Sequence, residues 1–324
     1  FLLKKGEVLY HQNRFDEAIT CFDDAENLRR GVADYWLAKT YALKGDSAMA
    51  FRHLKNHLEG YSKKSEAEIL LDTAFASLRD TPQWKAIWLT DWYTPKEKFL
   101  AEVKYHFSQS EWDIALELLN ERMANKKISH SLYALRGEAY YKTGSFRAAE
   151  ADFSIALKMS KRNHNYMVWY AKSLLKNNRV RKCLRYLDKA IALSGGEPTY
   201  HLIRATAFAA DKDYESAIDD MKIYLSFYPN DLDATAQYAE YATQANCFID
   251  ALFLLGKLIK AYPNEFKFYN SRGEIYMKSG SWAVAEMDFD QAIKLDSTKH
   301  ETYLNRGQCR FNQKKFSEAC CIQD

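Results

Sequence analysis

Apolar residues recur along this chain with helical spacing, in paired runs broken at regular intervals. Residues 130–163 show the unit. Over about Ser131 to Thr143, Leu132, Tyr133, Leu135, Ala139 and Tyr140 fall on one face of a predicted helix. Gly144 and Ser145 interrupt the run, as a glycine just past a helix end does. A second helix is predicted over Phe146 to Met159, with Ala149, Phe153, Ala156 and Leu157 facing inward. Small residues let the two helices approach closely, and aromatics fill the space between neighbouring pairs. One such pair cannot bury its apolar face alone, so it must stack on others.

Those others follow at a fixed distance. Steps of 34 residues from Gly137 land on Ala171, Ala205, Ala239, Gly273 and Gly307, and one step back lands on Val103. Twelve residues after each landmark stands another small residue: Ala115, Ala149, Cys183, Ala217, Ala251, Ala285 and Ala319. A period in this range predicts an all-α solenoid of tandem helix-turn-helix hairpins. Repeats of this kind present binding surfaces, so the period indicates a class of work and names no partner.

The unit resembles the tetratricopeptide repeat. Residues 266–299 carry the likeness best, through Tyr269, Arg272, Gly273, Tyr276, Gly280, Trp282, Ala285, Phe289, Ala292 and Leu295. Pro229 and Pro263 match the family's helix-ending proline; Lys161, Gly195 and Ser297 replace it elsewhere. Gly6 with Ala18 and Phe22 marks a first repeat, and Ala38 with Tyr41, Gly45, Ala50 and Leu54 a second. The resemblance implies a right-handed α-solenoid of about ten repeats. It divides the chain into repeats over 1–63, a degenerate third repeat centred on Asp72 and Phe75 over 64–95, and repeats in strict register over 96–324, the last one truncated. That last repeat stops with Ala319 and Ile322 on a half-built apolar helix. Because solenoid ends need a polar cap, a further helix or a covering partner is expected there.

Composition narrows the function classes. The chain has 324 residues, is 47% hydrophobic and carries a net charge of +3 from 46 basic and 43 acidic residues. That balance argues against a general polyanion binder, and so against nucleic acid as the partner. No run approaches the length of a membrane span. Phe1 starts inside an amphipathic run containing Leu2, Leu3, Val8 and Leu9, which reads as a trimmed or processed piece. The six cysteines, Cys21, Cys183, Cys247, Cys309, Cys320 and Cys321, fall at helical positions without paired spacing and read as free, mostly buried thiols. They favour a reducing, cytoplasmic location and leave a bacterial periplasmic or envelope-associated one open.

Candidate chemistry is sparse. His53 and His57 stand four residues apart, but no third ligand follows at metal-binding spacing. No phosphate loop, nucleophile elbow or cofactor fingerprint occurs, so neither an enzyme activity nor a small-molecule substrate is expected. Trp84, Trp88 and Trp92 recur at one helical face and read as core rather than as a partner patch, with Thr81 as N-cap and Pro82 opening the helix. Lys176, Arg179, Arg181, Lys182, Arg185 and Lys189 form a basic run that reads as a solvated outer helix face.

The resemblance also places the family's usual ligand surface on the concave wall, built from the first helix of each hairpin. One subset of the family clamps chaperone C-termini with Lys and Asn at the fifth and ninth places. Here Asn270 is the only Asn or Lys at a fifth place and Glu274 follows it, so that clamp is absent. The wall offers Tyr141, Lys142, Lys172 and Lys176, then Glu240 and Glu274, a mixed-charge ladder suited to a protein or peptide partner. The expectation is a non-catalytic scaffold or adaptor, of a kind that serves multi-protein complexes, binding on the groove or at an edge. A regulatory or targeting region of a larger enzyme, or of a bacterial envelope or secretion assembly, is the second reading, and a basic-patch nucleic-acid or glycan binder the third.

Overall fold

The computed structural model describes residues 1–60, 63–124 and 128–319. Among the described residues all regular structure is helical, and the chain divides into two compact units that meet in sequence at Glu111 and Trp112. Unit 1 contains α1 (Leu2–His11), α2 (Phe15–Leu28), α3 (Asp34–Lys44), α4 (Ser47–Glu59), α5 (Glu66–Leu71), a 3-10 helix (Thr73–Leu78), α6 (Pro82–Ile87) and α7 (Pro95–Ser108). Unit 2 begins with α8 (Trp112–Ala124), α9 (His130–Lys142), α10 (Phe146–Met159), α11 (His164–Lys176), α12 (Val180–Ser194) and α13 (Pro198–Ala210). It continues with α14 (Tyr214–Phe227), α15 (Leu232–Gln244), α16 (Phe248–Ala261), α17 (Phe266–Lys278), α18 (Trp282–Leu295), α19 (His300–Asn312) and α20 (Phe316–Ala319). From α9 onward, the first helix of each hairpin (A) bears the odd number and the second (B) the even number.

Each turn between A and B has one conformation. Ser110, Gly144, Asn178, Lys212, Asn246, Gly280 and Lys314, spaced 34 residues apart, all have φ between 58 and 81°. The amide of the following residue then reaches back across the helix end, as Ser145 N–H does to Tyr140 O and Ser281 N–H to Tyr276 O, both at 2.8 Å. This closure needs a left-handed residue. Glycine supplies it without strain and asparagine with little, whereas Lys212 and Lys314 adopt it at a cost.

Across the hairpin, the landmark residue of A meets the residue sixteen places later on B. Their sizes compensate. A Cβ on Gly6 would lie 2.5 Å from the Phe22 ring, one on Gly137 3.0 Å from Phe153, and one on Gly273 2.9 Å from Phe289. Where the landmark is Ala38, Ala171, Ala205 or Ala239, the matching B residue is Leu54, Leu187, Met221 or Leu255, which is smaller than Phe. These side chains are buried, and each contributes roughly 1.5–3 kcal/mol. The second row of small residues, from Ala18 to Ala285, is at most 1% exposed, so A and B touch almost backbone to backbone there.

Buried charge locks alternate hairpins. Arg136, Arg204 and Arg272 each grip an aspartate sixteen residues on, Asp152, Asp220 and Asp288, through two N–H donors at 2.7–2.9 Å. Arg136 also donates to Asn120 and Arg204 to Asp188 on the preceding B helix. Tyr170 and Tyr238 take the arginine's place in the hairpins between. Tyr170 accepts from Lys182 Nζ at 2.6 Å, and the Tyr238 hydroxyl donates to Asp250 at 2.7 Å. Bidentate pairing offsets the desolvation of these carboxylates.

Residues 64–95 depart from the regular pair of helices. Asp72 is not a residue within a helix. Its carboxylate accepts from Ala74 N–H and from the Tyr35 hydroxyl and pairs with Lys39 at 3.0 Å, so it caps a break between α5 and the 3-10 helix. Thr81 caps α6 as the sequence predicts, with Trp84 N–H donating to its hydroxyl at 3.2 Å, and Trp84 is buried. The shared helical face of the three tryptophans does not extend to Trp92. α6 ends at Ile87, and Trp92 lies beyond it with its indole N–H donating to Ile87 O.

His53 Nδ1 lies 2.9 Å from Asp34, while His57 Nε2 accepts from Lys64 N–H, so the two rings engage different groups. Cys21, Cys183 and Cys309 are buried free thiols and Cys247 is an exposed one. Cys320, Cys321 and Ile322 lie outside the described residues.

Two substitutions test this packing. Ala285→Leu overpacks a fully buried crossing and is expected to cost about 1–3 kcal/mol; an unchanged melting transition would mean that the crossing lies elsewhere. Lys212→Gly removes a left-handed lysine and is expected to add about 0.5–1 kcal/mol, read as a raised midpoint in urea unfolding.

Candidate interaction surface

Within unit 2, successive A helices touch directly, α9 with α11, α11 with α13, and α17 with α19. Among the described residues of unit 2, no two successive B helices approach to the same extent. The hairpins therefore fan apart on the B side, and the A helices line the inside of the curve. Stepping by one repeat along this inner layer passes Glu138, Lys172, Thr206, Glu240 and Glu274.

The first part of the ladder is a coupled patch. Lys172 is half-buried, with its ammonium 4.6 Å from the centroid of the Trp169 ring. Burial lowers its pKa, the nearby Lys142 lowers it further, and Glu138 opposes both. Burial raises the Glu138 pKa, against the pull of Lys142 and Lys172. Lys142 is exposed and lies over Trp112 at 5.7 Å. Tyr141 packs edge-on against Phe146 and Trp169 at 5.3 and 5.5 Å, and burial raises its pKa. Lys176 is exposed one turn beyond Lys172. The result is a cationic edge above an aromatic wall.

The second part is a cleft of about 440 Å³ between α15 and α17. Glu240 and Glu274 both line it, with Gln237, Lys267, Phe268 and Leu255. Glu240 is exposed, while burial raises the pKa of the half-buried Glu274 even though Asn270 donates a hydrogen bond to it at 2.6 Å. The Asn270 carbonyl oxygen accepts from Thr302, so both ends of that amide are engaged within the protein.

Comparison with known proteins agrees with this architecture. The sequence model described as tetratricopeptide repeat matches residues 134–182 and 171–231. Over residues 134–231 the chain matches the tetratricopeptide repeat family. Tetratricopeptide repeat protein 16 of Homo sapiens is 22% identical over 161 residues, which is 44% of this chain and 18% of that protein. Hsp70-Hsp90 organizing protein 1 of Glycine max is 23% identical over 221 residues, 56% of this chain and 38% of that one. The chain thus spans well under half the length of these curated relatives.

Two solved structures share the fold. A tetratricopeptide repeat protein from Parabacteroides merdae, 16% identical, aligns over 70% of this chain and 90% of its own with a TM-score of 0.51. The C-terminal part of a repeat protein from Cytophaga hutchinsonii, 14% identical, aligns over 68% and 90% with a TM-score of 0.58.

The six residues that sequence singles out all lie on A helices. The structure joins Tyr141, Lys142 and Lys172 through Trp169 and Glu138, and joins Glu240 to Glu274 through one cleft. It adds Trp169, Trp112, Lys267 and Phe268, which sequence does not single out. Repeat spacing does point to Glu138, since it stands one repeat before Lys172.

Removing Lys172 tests the electrostatics. Lys172→Gln deletes a charge that holds the Glu138 carboxyl down, so the Glu138 pKa is expected to rise further, followed by carboxyl-carbon NMR titration. An unchanged titration would show that the two groups do not interact.

Proposed function

We propose that the chain is a non-catalytic scaffold that holds an extended segment of a partner protein along the inner face of its A helices. The observation that carries this reading is the ladder of charges, the half-buried Glu138 and Lys172 at one end and the half-buried Glu274 beside the exposed Glu240 at the other. A charge kept half-desolvated beside aromatic rings is ready to meet an opposite charge with little further loss of water. The cleft between α15 and α17 suits a basic side chain with an apolar stem, and the edge formed by Lys142, Lys172 and Lys176 suits a carboxylate. The aromatic wall adds contact area.

The Glycine max relative is named as an organizing protein of Hsp70 and Hsp90. The likeness extends to the scaffold and not to a clamp for a C-terminal carboxylate, because here Asn270 is bonded to Glu274 and Thr302. The partner read here is an internal segment of mixed charge.

Selecting peptides from a random displayed library against the chain tests the proposal. Binders are expected to combine an acidic residue with a downstream Lys or Arg. The double change Lys172→Glu, Lys176→Glu is expected to weaken them about tenfold or more, about 1.4 kcal/mol, with retention of the fold followed by thermal melting. Peptides that bind the double variant as tightly as the parent would defeat the reading.

A further inference from the structure

The B side of unit 2 carries a second surface of different chemistry. Between α10 and α12 lies a groove of about 360 Å³. Lys158, Lys161 and Lys189 form its rim, and Leu157, Tyr170 and Tyr186 are among the residues of its floor. The two tyrosine rings meet edge to face, 4.8 Å apart at 86°. No carboxylate lines the groove.

The acids of these two helices are already engaged. Glu150 pairs with Arg179, Asp152 with Arg136 and Asp188 with Arg204. Among the described residues Lys158, Lys161, Arg185 and Lys189 form no ion pair, and all four are exposed. A separate depression of about 490 Å³ at the start of α12 is lined by Arg181, Lys182 and Arg185, with Asp211 as its one carboxylate. The whole chain carries a net charge of only +3, so this concentration of unpaired cations is a local feature.

We propose that the α10–α12 groove docks an acidic protein segment carrying one aromatic or aliphatic side chain. That side chain enters between Lys158 and Lys189 onto the tyrosine floor, and flanking carboxylates meet the lysine rim. The floor favours a peptide over nucleic acid. Lys189 already covers the Tyr186 ring at 5.5 Å, and Tyr170 is only 4% exposed with its hydroxyl held by Lys182. Neither ring offers the open face on which a base stacks, so the entering side chain packs against ring edges, which suits Phe or Leu and not a stacked base. The surface is separate from the inner face, so one chain can hold two partners at once.

Fluorescence anisotropy with three probes tests this: a short labelled peptide of Asp and Glu around one Phe, its Lys/Arg counterpart, and oligouridylate. The acidic peptide is expected to bind, more weakly as salt rises, and the basic one not to bind. Lys158→Glu with Lys189→Glu is expected to reduce the affinity about tenfold or more. Lys161→Glu serves as an independent variant of the same rim, with the fold of each followed by thermal melting. Tyr186→Ser is expected to remove the preference for the Phe peptide over one with Ala in its place. The inner-face variant Lys172→Glu, Lys176→Glu is expected still to bind the acidic probe, which separates this surface from the proposed scaffold face. Equal affinity after reversal of the rim, loss of binding on reversal of the inner face instead, or tighter binding of oligouridylate would each overturn the proposal.

Discussion

The close crossing of the two helices in each hairpin is the constraint on which the rest depends. A small residue on A faces a large one on B, and their volumes compensate: glycine with phenylalanine, alanine with leucine or methionine. Packing at crystal-like density leaves no room for both to be large. The crossing sets the distance between A and B, and that distance lets an arginine on A reach an aspartate on B with two hydrogen bonds. It also dictates that the turn close tightly, which is why a left-handed residue recurs at every turn of unit 2 and survives even as lysine.

With the core taken up by this pairing, specificity is left to the two surfaces. The inner one is made by A helices close enough to share side-chain contacts, so its charges are partly desolvated and influence each other. The outer one is made by B helices that diverge, so its lysines stand in water around a tyrosine floor. The same hairpin thus yields coupled, half-buried charge on one side and open, unpaired charge on the other.

Much of the hairpin is legible in the sequence because small residues at a fixed interval mark the points where paired helices cross closely. The span of α10, the Thr81 cap and the burial of Trp84 follow from local rules. Asp72 is harder to read, since its carboxylate serves Tyr35 and Lys39 on a helix far back in the chain and breaks its own helix to do so. Trp92 escapes periodicity because α6 stops before completing two turns, which spacing alone does not reveal. Repeat register tells which residues face the inner layer, but not which of them meet. Lys172 beside Trp169, and Glu240 sharing a cleft with Glu274, depend on side-chain directions and on how closely A helices approach.

The reach of each arginine has a consequence for how such an array can change length. Arg136, Arg204 and Arg272 each grip a buried aspartate inside their own hairpin. Tyr170 and Tyr238 likewise bond within theirs, to Lys182 and Asp250. The bonds that cross to the preceding hairpin, such as Arg204 to Asp188 and Arg306 to Asp290, end on exposed or half-buried carboxylates. Excising one hairpin would remove a buried aspartate together with its arginine and leave no carboxylate stranded in the core. The heritable module of this region is therefore the single hairpin, and recombination that respects the electrostatics can proceed one hairpin at a time.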